Sequence, residues 1–174
     1  MKYKDAIKKS MEELAKLDKV RFLGYNVNRG SRAYGTLKDV PKEKCIETPV
    51  AENLMVGLAI GMSLEGYKPV VFFERHDFIL NSLDAIVNHL DKIEKMSYEQ
   101  FKTPVIIRAN VGAKKPLTPG AQHTQDFTEI LKKIVTFPVY ELLNSKQVIE
   151  CYSKVKNFEN SALIIERREL YDCE

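Results

Sequence analysis

Three stretches of this chain are apolar without alternation: 69–73 (PVVFF), 104–108 (PVIIR) and 161–165 (SALII). A sheet with one wet face alternates apolar and polar residues, so continuous runs mark strands buried on both faces. Stretches with helical spacing separate them. In residues 3–17, Tyr3, Ile7, Leu14 and Leu17 fall near one face and lysines elsewhere. A short apolar run at 20–25 predicts the first strand, the polar 26–43 a loop, and Cys45-Ile46 a very short strand. Thr48-Pro49 predicts a helix start, with Thr as cap and Pro in the first turn. That helix is expected to run to about Glu65 and stop at Gly66.

Beyond 69–73, the spacing of Leu80, Leu83, Val87, Leu90 and Ile93 predicts a helix over 79–95. The strand at 104–108 leads into a loop, 111–122, that contains Pro116, Pro119, Gly112 and Gly120. A helix near 125–134, a strand at 136–140, a helix at 145–156 and the strand at 161–165 complete the pattern. Strands and helices in this order specify an α/β class: a doubly wound, mostly parallel sheet with helices on both faces. The 174 residues suit a single domain, 1–174, with one core. In such sheets ligands sit beyond the carboxyl ends of the strands. That directs attention to 26–30, 47–52, 74–78 and 111–123.

Composition excludes several functions. The net charge of +3 comes from 27 basic and 24 acidic residues spread along the chain, which argues against nucleic acid or a membrane surface. No apolar run approaches the roughly 18 residues of a membrane span. Cys45, Cys151 and Cys173 are far apart, and the start MKYKDAIKKS reads as a charged helix and not a signal peptide. Reduced thiols in a cytoplasmic protein are expected. His76, His89 and His123 lack metal-ligand spacing, so no metal site is expected within the chain. No G-x-G-x-x-G, Walker loop or G-x-S-x-G elbow is present.

Less generic motifs carry the chemistry. Thr48-Pro49-Val50-Ala51-Glu52 opens a small-residue helix and is followed by a P-V strand. Then come Asp77-Phe78, Asp84-Ala85-Ile86-Val87-Asn88 and the segment GAQHTQDF at 120–127. As an ordered set this resembles the amino-terminal, pyrimidine-binding domain of the 2-oxo-acid dehydrogenase decarboxylase beta subunits, in the transketolase-like superfamily of thiamine-diphosphate enzymes. The resemblance runs from about residue 3 to Tyr171.

The resemblance implies that Glu52 hydrogen-bonds a ring nitrogen of the cofactor's aminopyrimidine. Protonation there favours the imino tautomer, which removes the thiazolium proton. Carboxyl groups suit this task where burial lifts their pKa, while the carbanion chemistry belongs to the cofactor. The bland alternative is that Glu52 only complements a helix N-terminus, worth roughly 0.3–1 kcal/mol. By family position Phe78 stacks on the pyrimidine, Val50 touches its edge, and Glu74 falls where a Gln commonly contacts the cofactor. Phe78 and Val50 could equally be plain core. His123 matches a histidine facing the substrate end, as proton donor or orienting group. His89, within a helix, is expected to be structural. Gly57 and Gly61, four apart, allow close helix approach, which the family uses at a subunit contact; packing on the chain's own sheet is the alternative.

Three departures stand out. The family's beta subunit continues into a carboxy-terminal domain after the position of Tyr171, so that domain is expected to be missing or separately encoded. Glu74, Arg75 and His76 replace amide and small residues, and Arg75 and His76 add cationic potential that would favour an anionic or phosphorylated substrate; a plain surface pair is the alternative. AKKPLTPG replaces a glycine-rich run before His123. The family holds the diphosphate through Mg²⁺ on a G-D-G motif with paired Asn, and no G-D-G occurs here. A partner chain carrying that motif and the Mg²⁺ is therefore expected, assembled as a heterotetramer.

The function expected is a subunit of a split enzyme cleaving or forming a C–C bond on a 2-oxo acid or ketose-type donor, as a transketolase or decarboxylase. The alternatives are a non-catalytic α/β module that kept the fold and a flavodoxin-like binding protein.

Overall fold

Each continuous apolar run becomes a strand. The computed structural model describes residues 1–115 and 118–173; Pro116 and Leu117 of the expected 111–122 loop, and Glu174, lie outside the described residues. The strands are β1 (Val20–Gly24), β2 (Cys45–Glu47), β3 (Lys68–Phe73), β4 (Ile106–Val111), β5 (Val139–Glu141) and β6 (Ala162–Arg167). They form one sheet in the order β2-β1-β3-β4-β6-β5. Every pairing is parallel, so the expected mostly parallel sheet is wholly so. The helices are α1 (Tyr3–Ala15), α2 (Glu52–Leu64), α3 (Ile93–Met96), α4 (Thr128–Ile134) and α5 (Ser145–Val155).

Alternate positions of one strand feed two apolar layers, which is why the strand sequences do not alternate. Val70 and Phe72 of β3 pack with Tyr3, Ile7 and Met11 of α1 and Val148 and Tyr152 of α5. Val71 and Phe73 pack with Met55, Val56 and Ala59 of α2 and with Leu131 of α4. Both faces are covered, as expected. The edge strands β2 and β5 are only three residues long, a length that limits unwanted pairing.

β1 lies between β2 and β3, so the chain winds outward in both directions from it. The topological switch point, where ligands enter such sheets, is therefore the crevice between the ends of β1 and β3. Gly24 ends β1 there with φ +147°, and a Cβ on it would lie 2.7 Å from the Phe72 carbonyl oxygen. Behind it, Glu47 accepts the backbone N–H groups of Asn26, Val27, Asn28 and Arg29 at 2.7–3.2 Å. Burial acts to raise the Glu47 carboxyl pKa, but these donors outweigh it and hold it below its ordinary value.

Two local expectations are corrected. The helix expected from Thr48-Pro49 starts only at Glu52, after Ala51 at φ −150°. Thr48 still donates its backbone N–H to Gly24 O at 3.0 Å, continuing the β1–β2 ladder, and the cap position falls to Ala51, so the Thr48 hydroxyl caps nothing. The far end behaves as expected: α2 stops at Leu64 and Gly66 takes φ +78°. The regular helix expected over 79–95 is instead a 3₁₀ turn at His76–Ser82, a π-helical stretch at Asp84–Leu90 and α3. Tighter winding in the 3₁₀ turn and wider winding in the π stretch set the buried positions at Ile79, Ser82, Ala85, Ile86 and Leu90, and leave Leu80 exposed.

One polar network is sealed between the sheet and α5. Arg108 of β4 and Glu166 of β6 lie on adjacent strands, two residues out of register, and are both fully buried. Arg108 Nε and Nη2 donate to the two carboxylate oxygens of Glu166, each at 2.9 Å. Tyr152 and Tyr171 also donate their hydroxyls to Glu166, and the guanidinium lies over the Phe72 ring at 4.9 Å. Burial alone would lower the Arg108 pKa, but the Glu166 charge outweighs it and keeps the guanidinium protonated. Burial, then the Glu166 charge, drives both tyrosines well above their ordinary value, so they stay as donors.

Candidate functional site

The ends of β1, β2, β3 and β4 bring together most of the residues singled out from sequence. Glu52 is the first residue of α2 and is only 5% exposed. Asn81, in the 3₁₀ turn after β3, donates its Nδ2 to Glu52 Oε2 at 3.3 Å. Tyr25, just past β1, has its phenol pKa raised by burial first, then by the charges of Glu52 and Glu74. Those two carboxylates therefore flank the β1–β3 crevice. Neither Asn81 nor Tyr25 was expected from the motifs; Asn81 carries no pattern of its own, whereas Tyr25 directly precedes the flagged 26–30 loop.

Phe78 and His123, forty-five positions apart in sequence, meet edge to face with ring centroids 5.5 Å apart. The contact is fixed from two sides. Asp77 is buried, and its Oδ1 accepts the backbone N–H of Gln125 at 3.0 Å and its Nε2 at 3.2 Å. On the other side Gly112 packs directly under the loop: a Cβ there would lie 1.8 Å from the His123 carbonyl oxygen. Only a residue without a side chain leaves room for His123 at this spot.

His76 does not reach the mouth. It is fully buried, stacks on Phe127 with centroids 6.1 Å apart, and its Nε2 accepts the Phe127 backbone N–H at 3.0 Å. Burial lowers its pKa, so it adds no cationic potential near neutral pH, contrary to expectation. Its contacts tie the end of β3 to the start of α4. Arg75 remains half-exposed, with its guanidinium 5.6 Å from the centre of the Tyr34 ring. Glu74 is turned across the switch point, accepting from Asn26 Nδ2 at 2.7 Å. Val50 is 71% exposed, which rules out the core alternative for it. His89 is exposed beside Asp84, 3.4 Å away, and holds no part of the core.

Among the described residues, buried side-chain atoms without a partner include Thr48 Oγ1, His76 Nδ1, Asp77 Oδ2 and His123 Nδ1. All four belong to segments at the ends of β2, β3 and β4. A buried polar atom left without any partner costs about 1–3 kcal/mol, so each of these atoms calls for a partner from outside the described residues, water included.

The outward face of α2 is also open. Gly57 and Gly61 lie in line with Leu54, Leu58 and Leu64, three exposed leucines. A Cβ at either glycine would meet nothing within 4 Å, so these glycines do not serve packing on the chain's own sheet.

Comparison with known proteins places this geometry among relatives. The family described as "Transketolase, pyrimidine binding domain" matches residues 1–173. The pyruvate dehydrogenase E1 component subunit beta of Rickettsia conorii is 34% identical over 130 residues, covering 72% of this chain and 39% of the relative. The mitochondrial counterpart of Saccharomyces cerevisiae is 34% identical over 133 residues, covering 74% of this chain and 36% of the relative. The chain thus spans less than two-fifths of the length of these relatives. A solved structure described as a split gene transketolase, inactive beta4 tetramer, superposes with a TM-score of 0.71 at 21% identity, covering 94% of this chain and 50% of that one.

Proposed function

The chain belongs to the family of transketolase pyrimidine-binding domains, and from that premise we propose that it is the pyrimidine-binding half of a split thiamine-diphosphate enzyme. The observation that carries this reading is Glu52, a buried carboxylate at the first residue of α2, set at the ligand end of a parallel sheet. The residues present fit an aminopyrimidine: a carboxylate for a ring nitrogen, a half-buried aromatic at Phe78, and unpartnered polar atoms at Thr48, Asp77 and His123. The cofactor, when bound, supplies the carbanion chemistry.

This chain's residues do the rest. Glu52 holds and moves a proton at its carboxylate, with Asn81 fixing one oxygen. Phe78 orients the pyrimidine by stacking, Val50 borders it, and Glu74 lines the crevice. His123, held by Phe78 and the Gly112 contact, handles a proton at the substrate end. The reaction class is cleavage or formation of a C–C bond beside the carbonyl of a 2-oxo acid or ketose-type donor.

The diphosphate and its Mg²⁺ fall to a partner chain with a G-D-G…Asn-Asn motif, since this sequence holds no G-D-G. The glycine-lined apolar face of α2 supplies a self-complementary contact, so two copies with two partners form a heterotetramer.

A tagged chain recovered from its native host is expected to bring down one partner in equal amount, with thiamine diphosphate bound. A lone, cofactor-free protein would return the chain to a non-catalytic module. The wedge at Gly112 gives a second prediction. Gly112→Ala forces the His123 backbone to move by more than 1 Å, and displacements of that size cost about 100-fold in rate. In the assembled enzyme kcat should fall by that order while the partner is still bound; an unchanged kcat would remove the loop position from the mechanism.

A further inference from the structure

A cavity of about 450 Å³ opens at the same end of the sheet and is lined by Tyr34, Arg75, Lys115, Arg168, Glu169 and Asp172. Its volume lies in the range of pockets that hold small molecules. It is separate from the Glu52–Phe78–His123 group: Tyr34 and Tyr171 behind it pack into the apolar layer of α1 and α5, whereas Glu52 starts α2 on the other face.

Two guanidinium groups share one aromatic platform here. Arg75 lies 5.6 Å and Arg168 5.2 Å from the centre of the Tyr34 ring, and Arg168 also lies 4.7 Å from that of Tyr171. Stacking on a ring face leaves the N–H edges of a guanidinium free to donate. Glu169 and Asp172 border the cavity, yet the ion pairs among the described residues include neither arginine. Two neighbouring cations without a carboxylate partner repel each other, and an anion between them removes that repulsion while accepting from both forks.

We propose that this cavity binds a small oxyanion, a phosphate or carboxylate group, between Arg75 and Arg168. Lys115 adds a third cation from the loop that begins at Gly112 and carries His123, and Ala113 and Pro119 of that loop also line the cavity. The anion is either the charged tail of a substrate or a free effector, and the same contacts serve both. Occupancy sets the loop on which His123 stands.

The test is a titration of inorganic phosphate into the 174-residue chain, followed by calorimetry and ³¹P line broadening. It needs neither partner nor thiamine diphosphate, so its failure would leave the proposed activity standing. Saturable binding in the millimolar range is expected. Arg75→Ala and Arg168→Ala should each weaken it about tenfold or more, whereas Lys146→Ala, on exposed α5 surface, should not. Arg168→Lys, which keeps charge and stem but loses the fork, should also weaken binding, and it covers the case in which the alanine variant fails to fold. No saturable binding, or binding indifferent to both arginines, overturns the site. In the assembled enzyme, phosphate competing with the donor identifies a substrate tail; phosphate changing kcat without competition identifies an effector.

Discussion

Glu52→Gln should reduce kcat of the assembled enzyme by about 100- to 10,000-fold, the range expected when a positioned proton-transfer group is lost. The substitution keeps the shape of the side chain and an oxygen able to accept from Asn81, so folding and partner binding should be preserved. What it removes is the capacity to give and take a proton at a buried position. The decisive pair of measurements is turnover and thermal midpoint on the same preparation. A large loss of turnover with an unchanged midpoint supports the mechanism. Equal activity in both proteins would leave Glu52 as a helix-terminus charge, worth a fraction of 1 kcal/mol.

The largest expected effect on stability lies elsewhere. Glu166→Ala leaves Arg108 as an unpaired cation in a fully buried position and strips two tyrosine hydroxyls of their acceptor. Breaking such a pair costs about 3–5 kcal/mol, against a total margin of roughly 5–15 kcal/mol for ordinary domains. The thermal midpoint should fall by roughly 6–20 °C for a chain of this size. The double change Arg108→Met with Glu166→Leu should recover most of the loss, because no charge is then stranded. A loss under about 1 kcal/mol for Glu166→Ala would show that the interior tolerates the free guanidinium.

Much of this architecture was legible in the residues. PVVFF, PVIIR and SALII could only be strands covered on both sides, and the parallel sheet follows from them. Gly66 ended its helix where its left-handed conformation is needed. The 79–95 segment was misread because a 3.6-residue period was assumed for a stretch that winds in 3₁₀ and π turns, and nothing in its leucines signals the change. Within the candidate site, Phe78 and His123 were each singled out by the family motifs, whereas their mutual contact and the parts played by Asn81, Tyr25 and Gly112 were not. Their roles depend on distances between segments far apart in sequence. His76 was misplaced for a related reason: beside Arg75 it looked like one of a surface pair, but one more residue of turn points it inward to Phe127. The Arg75–Arg168 pair was invisible for the same cause, since 93 positions separate its members.

The pairing of β4 with β6 has a consequence for the chain as it leaves the ribosome. Arg108 is made 58 residues before its partner Glu166, an interval of about 3–12 s at ordinary rates of translation. During that time the nascent β4 segment is an apolar run interrupted by one cation. Such a charge keeps a sticky segment from pairing with its neighbours on a polysome. Once Glu166 emerges, the same charge becomes the clasp that draws the last strand to its place between β4 and β5. A residue that guards the unfinished chain thus becomes, unchanged, the lock of the finished one.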